Sequence, residues 1–164
     1  MLTLADITIL VERTLQKTGN LDPIFLFEGT KDYETREFPN LPEKALLASL
    51  DALGFSFAFT NQIGDLVQIF FFCQAWFNRN AQIRAADDPR RIEGVFLYYN
   101  SIQSGIWDVA EYKILRDSDG KFVELKRFKK TDVDTVYNDV TIGNPVDHFL
   151  RGFRRGVAMR KVGM

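Results

Sequence analysis

The chain has 164 residues but only one cysteine and one histidine. Each scarcity removes a class of protein. Cys73 cannot form an internal disulfide, and its neighbours Phe70, Phe71, Phe72, Ala75 and Trp76 imply a buried, inert thiol in a reducing compartment, so the cytoplasm is the expected location. His148 alone cannot supply the several imidazole or thiolate ligands of a zinc site, and it stands beside a basic tail rather than near a nucleophile. No metal, cofactor or catalytic residue is expected from these residue types. Glycine-rich phosphate loops are also lacking, because "GFRRG" at 152–156 is two isolated glycines with no Walker or dinucleotide pattern around them. No run approaches the roughly 18 apolar residues of a membrane span, and no basic residue precedes Arg13 to make a signal segment. Neither spanning nor secretion is expected.

Aromatic side chains are plentiful: 15 Phe, 5 Tyr and 2 Trp supply large apolar areas for a core. The length suits one domain over 1–164, large enough to fold without a metal or disulfide. Formal net charge is only −1, which argues against a polyanion-binding protein as a whole. The charge is uneven, however. Residues 1–82 hold 6 basic and 10 acidic side chains, whereas 83–164 hold 15 and 12, and the basic excess collects in a helical segment over 145–164. There Arg151, Arg154, Arg155, Arg160 and Lys161 face Asp147 alone.

Periodicity outlines an α+β fold. Leu4, Ile7, Leu10 or Val11, and Leu15 recur at helical spacing, with Thr3 and Asp6 as a capping pair and Gly19 as a stop. "IFLFE" and "YETREF" read as a hairpin turned at 29–32. Asn40 and Pro42 open a second helix with a stripe of Leu46, Leu50 and Leu53. "LVQIFFFCQAWF" reads as a central strand, "IEGVFLYYNS" and "GIWDVAEYKILR" as further strands, and "DSDG" as a tight turn into "KFVELKRFKK". Phe149, Leu150, Phe153 and Val157 mark a last helix, weakened by Gly152 and Gly156. The order implies an antiparallel or mixed sheet of about five to six strands with helices packed on one side.

The stretch "LGFSFAFT" at 53–60 admits two readings. As a strand it resembles the signature strand of RNA-recognition motifs: Gly54, Phe55 and Phe57 match, while Leu53 stands at the basic position and Thr60 at the final aromatic one. That resemblance covers eight residues and implies exposed rings for stacking bases. As a helix running on to Ile63 and stopping at Gly64, the stretch places Phe57 on the leucine stripe and extends a second stripe of Ala45, Ala48 and Ala52 with Phe55, Phe59 and Ile63. The helix is the favoured reading, since a strand leaves "TNQIGD" as a long hairpin loop. A helix apolar on two faces must be sandwiched between a sheet and something else, either the first helix or another subunit.

Carboxylate sites fare less well. Asp117-Ser118-Asp119-Gly120 begins like a calcium loop, but Lys129 stands where the distal glutamate belongs, so a turn is the simpler reading. Asp87-Asp88 is an isolated acidic pair, and Asp108, Glu111 and Glu124 lie on expected strands, where charged positions usually form the solvated face. A carboxylate-dependent enzyme is thus the weakest of three expectations. The second is nucleic-acid binding by the basic tail. The first is a protein acting by binding or assembly, as a homo-oligomer or with a protein partner, through Phe55, Phe59, Arg151, Arg154 and Arg155.

Overall fold

A computed structural model describes residues 1–38, 40–79, 82–128, 137–138 and 140–163. Three helices, α1 (Leu4–Thr18), α2 (Glu43–Thr60) and α3 (Gly143–Val162), accompany strands β1 (Ile24–Gly29), β2 (Tyr33–Glu37), β3 (Leu66–Asn78), β4 (Ile92–Ser101), β5 (Trp107–Arg116), β6 (Phe122–Arg127) and β7 (Tyr137–Asn138). The class is α+β, an antiparallel sheet with helices packed on it, ordered β2-β1-β3-β4-β5-β6 with β7 paired to β3. The chain divides into two compact units: 1–24, 70–99 and 107–140 in one, and 25–69, 100–106 and 141–164 in the other.

In the first unit α1 forms as its sequence dictates. Thr3 Oγ1 accepts from the Asp6 N–H while the Asp6 carboxylate accepts from the Thr3 N–H, a capping box that satisfies donors at the helix start. Ile7, Val11 and Leu15 turn inward, and Gly19 ends the helix at φ 78°. The helix end is then tied to the sheet by a polar cluster. Arg116 donates to Glu93 and to the Gly19 carbonyl, Gln74 donates to Glu93, and the Leu21 N–H donates to Gln74. The β5–β6 turn closes around Asp117, whose carboxylate accepts from the Asp119 and Lys121 N–H groups, with Gly120 at φ 79°. That confirms the turn reading of the acidic motif. The expected polar stretch after Lys130 lies mostly outside the described residues, but β7 pairs Asn138 with Phe77 and Tyr137 with Asn78.

In the second unit α2 runs through the phenylalanine stretch and stops at Asn61, whose left-handed conformation (φ 53°) caps it. The helical reading of 53–60 holds, and the strand reading behind the RNA-recognition resemblance does not; the helix nonetheless ends at Thr60 rather than running on to Ile63 and stopping at Gly64 as expected, because Asn61 takes the left-handed cap first. Phe57 is buried, as the leucine stripe required, and packs edge-on to Phe27 of β1 and to Phe149 of α3. Phe27 and Phe149 in turn stack with centroids 4.2 Å apart. These rings anchor the helix pair to β1.

The contact between α2 and α3 is made by backbone. A Cβ added to Gly152 meets the Asp51 carbonyl oxygen at 1.9 Å, one on Gly156 meets that of Phe55 at 2.5 Å, and one on Gly54 meets that of Phe149 at 2.1 Å. Only glycine tolerates such proximity, which also allows weak Cα–H···O contacts between the helices. Because 152 pairs with 51 and 156 with 55, the two helices run parallel. At the far end Arg160 donates to the Ala58 carbonyl at 2.9 Å, satisfying a terminal acceptor of α2, which has no basic residue of its own there. The glycines read from sequence as helix weakeners are therefore the contact itself.

Gly152→Ala is expected to destabilise the protein by about 2 kcal/mol, because the overpacking cost outweighs the alanine propensity gain of up to ~1 kcal/mol. Gly143→Ala, with nothing within 4 Å of the added carbon, is expected to be neutral or slightly stabilising. Urea midpoints for the two variants check the contrast, and equal midpoints would contradict the packing described.

Candidate functional site

Of the five residues singled out in the sequence, Phe55, Phe59 and Arg155 come together at the α2–α3 seam, Arg151 lies near enough to Asp51 to act on its charge, and Arg154 is exposed on α3. Phe55 is half-buried and stacks on Phe59, with centroids 5.6 Å apart and planes within 10°. Phe59 is 50% exposed. Arg155 reaches across from α3 and places its guanidinium 5.1 Å from the centre of the Phe55 ring, a cation–π contact at the seam between the helices. The same guanidinium donates to Asp51 at 2.6 Å, and that hydrogen bond holds the Asp51 carboxyl below its ordinary range, with smaller contributions from His148 and Arg151. Arg151 and Arg154 point outward, exposed, and no ion pair among the described residues uses either.

The second stripe of α2 faces away from this packing. Ala45, Ala48, Ser49, Ala52 and Ser56 are all exposed, and the stripe ends at Phe59. Between Lys44 and Thr60 the helix has one charged side chain, Asp51, which Arg155 already holds. The outcome differs from the sequence expectation in one respect. Covering was expected for the whole second stripe; Ile63 is buried but lies beyond the helix end, and of the stripe residues on α2 itself only Phe55 is partly covered, by an arginine whose stem and flat head can shield a ring while its charge stays wet. Beyond Phe59 a shallow depression of about 520 Å³ opens, lined by Phe59, Thr60, Asn61, Arg160 and Gly163. Apolar Met159 and Val162 are exposed near the end of α3.

Other candidate residues do not converge. Glu124 pairs with Leu115, four positions along β5 from Glu111, which separates the two by about 13 Å along the strand direction; Asp108 is farther still. The buried Asp88 carboxylate accepts from the N–H groups of Arg79 and Arg90, shaping its own loop. Among the described residues no group of three His, Cys, Asp or Glu side chains is placed to hold a metal ion. Among the described residues no helix is long and apolar enough to cross a membrane. Lys129, considered against the calcium pattern, lies outside the described residues.

Cys73 is buried in β3, and burial pushes its thiol up to about 12. Folding therefore favours the neutral thiol. The associated stability is fully present below the ordinary value of 9.0 and is lost as pH rises through about 12. Two measurements follow: alkylation by iodoacetamide at pH 8 should be negligible in the native protein and rapid in urea, and Cys73→Ala should flatten the loss of stability above pH 9. Fast native alkylation would show that the thiol is accessible.

Comparison of the chain with protein-family models, with curated proteins and with solved structures finds no match to any of the three.

Proposed function

We propose that the protein acts by binding or assembly, seating a protein partner or a second copy on the outer side of the α2–α3 pair. The observation that carries this reading is the exposed stripe of α2: roughly four turns with no free charge, ending at a half-exposed phenylalanine and bordered by arginines. Surface helices ordinarily give their solvent side to charged residues, and contiguous uncharged surface rimmed by polar groups is the usual mark of an interface. Backbone packing at the glycines leaves α2 held from behind, so the stripe is presented by a rigid element.

The other readings have less behind them. Nucleic-acid binding by the basic tail depended on Arg154 and Arg155, yet Arg155 is paired with Asp51 and Arg160 is engaged with a helix carbonyl. A carboxylate enzyme lacks two acids brought within the ~5–9.5 Å that such chemistry uses, as far as the β5 and β6 residues are concerned.

A photo-crosslinking residue placed at Ala52 or Ser56 in the full chain tests the proposal in living cells. Discrete adducts are expected from both positions and not from Thr35 on β2, with a dimer-sized product marking self-association. Ala52→Arg should remove them without changing the urea midpoint by more than ~0.5 kcal/mol equivalent, since the site is exposed. Absence of adducts at both positions, or equal yields at Thr35, would overturn it.

A further inference from the structure

Resting on that reading, we infer that the occupant of the α2–α3 face is an amphipathic helix with an acidic edge, carried by another protein. The stripe from Ala45 to Phe59 extends for about 21 Å, the length of a four-turn helix. Its alanines and serines leave grooves shallow enough for a second helix to approach closely, with Phe59 as the large apolar anchor at one end. This surface suits leucine-sized knobs better than a flat partner.

Charge then selects among helices. Along one border of the stripe stand Arg151 and Arg155, four residues apart and so one turn from each other on the same flank of α3, with Arg154 turned about 100° from Arg155. Arg155 keeps 53% of its side chain exposed while bonded to Asp51, and its forked guanidinium retains donors for a second carboxylate. Ring contact with Phe55 fixes where that head sits. A ligand carrying Glu or Asp at successive turns along one edge therefore meets two cations one turn apart, Arg151 and the held Arg155, while its apolar face covers the stripe.

The same features disfavour other occupants. A second copy offers on this face only Asp51 and Asp147 as carboxylates, and Asp51 is already paired. A phosphate backbone laid here finds no cation on α2 between residues 45 and 60. A lipid surface needs large side chains to bury, and most of this stripe is alanine and serine.

The test is selection of displayed 18-residue helices, with leucines fixed on one face and the edge positions randomised among Glu, Lys, Gln and Ala, on the folded full chain. Glu is expected to be enriched at edge positions, and the best peptide should bind Arg151→Glu/Arg155→Gln about tenfold more weakly, losing affinity with salt as well. Ala52→Arg should abolish its binding. Enrichment without charge bias, or a bias that survives the double replacement, overturns the acidic-helix inference. If no peptide is enriched while crosslinks at Ala52 yield a self-dimer, this inference falls and the assembly reading stands; if those crosslinks are absent too, both fall. Binding of a phosphatidylserine vesicle or a single-stranded oligonucleotide through the same arginines, with no peptide selected, also overturns it.

Discussion

The contact on which the α2–α3 unit depends is between two helix backbones. Gly54, Gly152 and Gly156 remove the side chains that would hold the helices at the usual 8–10 Å, and the Asp51 and Phe55 carbonyls occupy the space that a Cβ would fill. Three consequences follow from this closeness. Phe149 is brought deep enough to stack on Phe27, Arg160 comes within reach of the last turn of α2, and Arg155 comes to lie over Phe55. Glycine costs helix stability in isolation, so α3 has poor intrinsic propensity and relies on this packing for its structure.

That dependence links packing to the proposed role. Because α2 turns Leu46, Leu50, Gly54, Phe57 and Ala58 inward, with Phe57 on β1 and Gly54 and Ala58 against α3, its opposite side is left exposed. The Asp51–Arg155 pair is exposed and so adds little to stability; its structural effect is to hold a cation at the border of the open stripe. A small apolar surface beside ordered positive charge is a combination that binding uses and that solubility alone does not require.

Much of the scaffold was legible in the residues, for identifiable reasons. Thr3 with Asp6, the Asp-Gly turn at 119–120 and the alternation of β-rich runs act locally, over a few residues, and each behaves as its chemistry predicts. Helical projection also resolved "LGFSFAFT" correctly, since Phe57 falls on the stripe of Leu46 and Leu50 only at 100° per residue. What hydropathy could not convey was closeness. A glycine pair four residues apart looks like weakness in a propensity scale, and only the presence of Gly54 opposite them turns it into a seam. The cover over Phe55 was hidden for a related reason: arginine counts as polar in every periodicity argument, yet it shields the ring. The pairing of Tyr137 and Asn138 with β3 depends on long-range register that no local pattern carries. Of the candidate site, the residues were legible and their assembly was not, because Phe55 and Arg155 are brought together by a helix pairing one hundred residues long in sequence separation.

The parallel seam is the claim from which the exposed stripe, the placement of the arginines and the binding reading all descend. The most direct measurement is a nuclear Overhauser spectrum of the isotope-labelled protein, read at the α-protons of Gly152 and Gly156. The account predicts cross-peaks from Gly152 to Asp51 and from Gly156 to Phe55 and the Ala58 methyl, in that ascending order. Cross-peaks in the reverse order along α2, or none between the two helices, would contradict it.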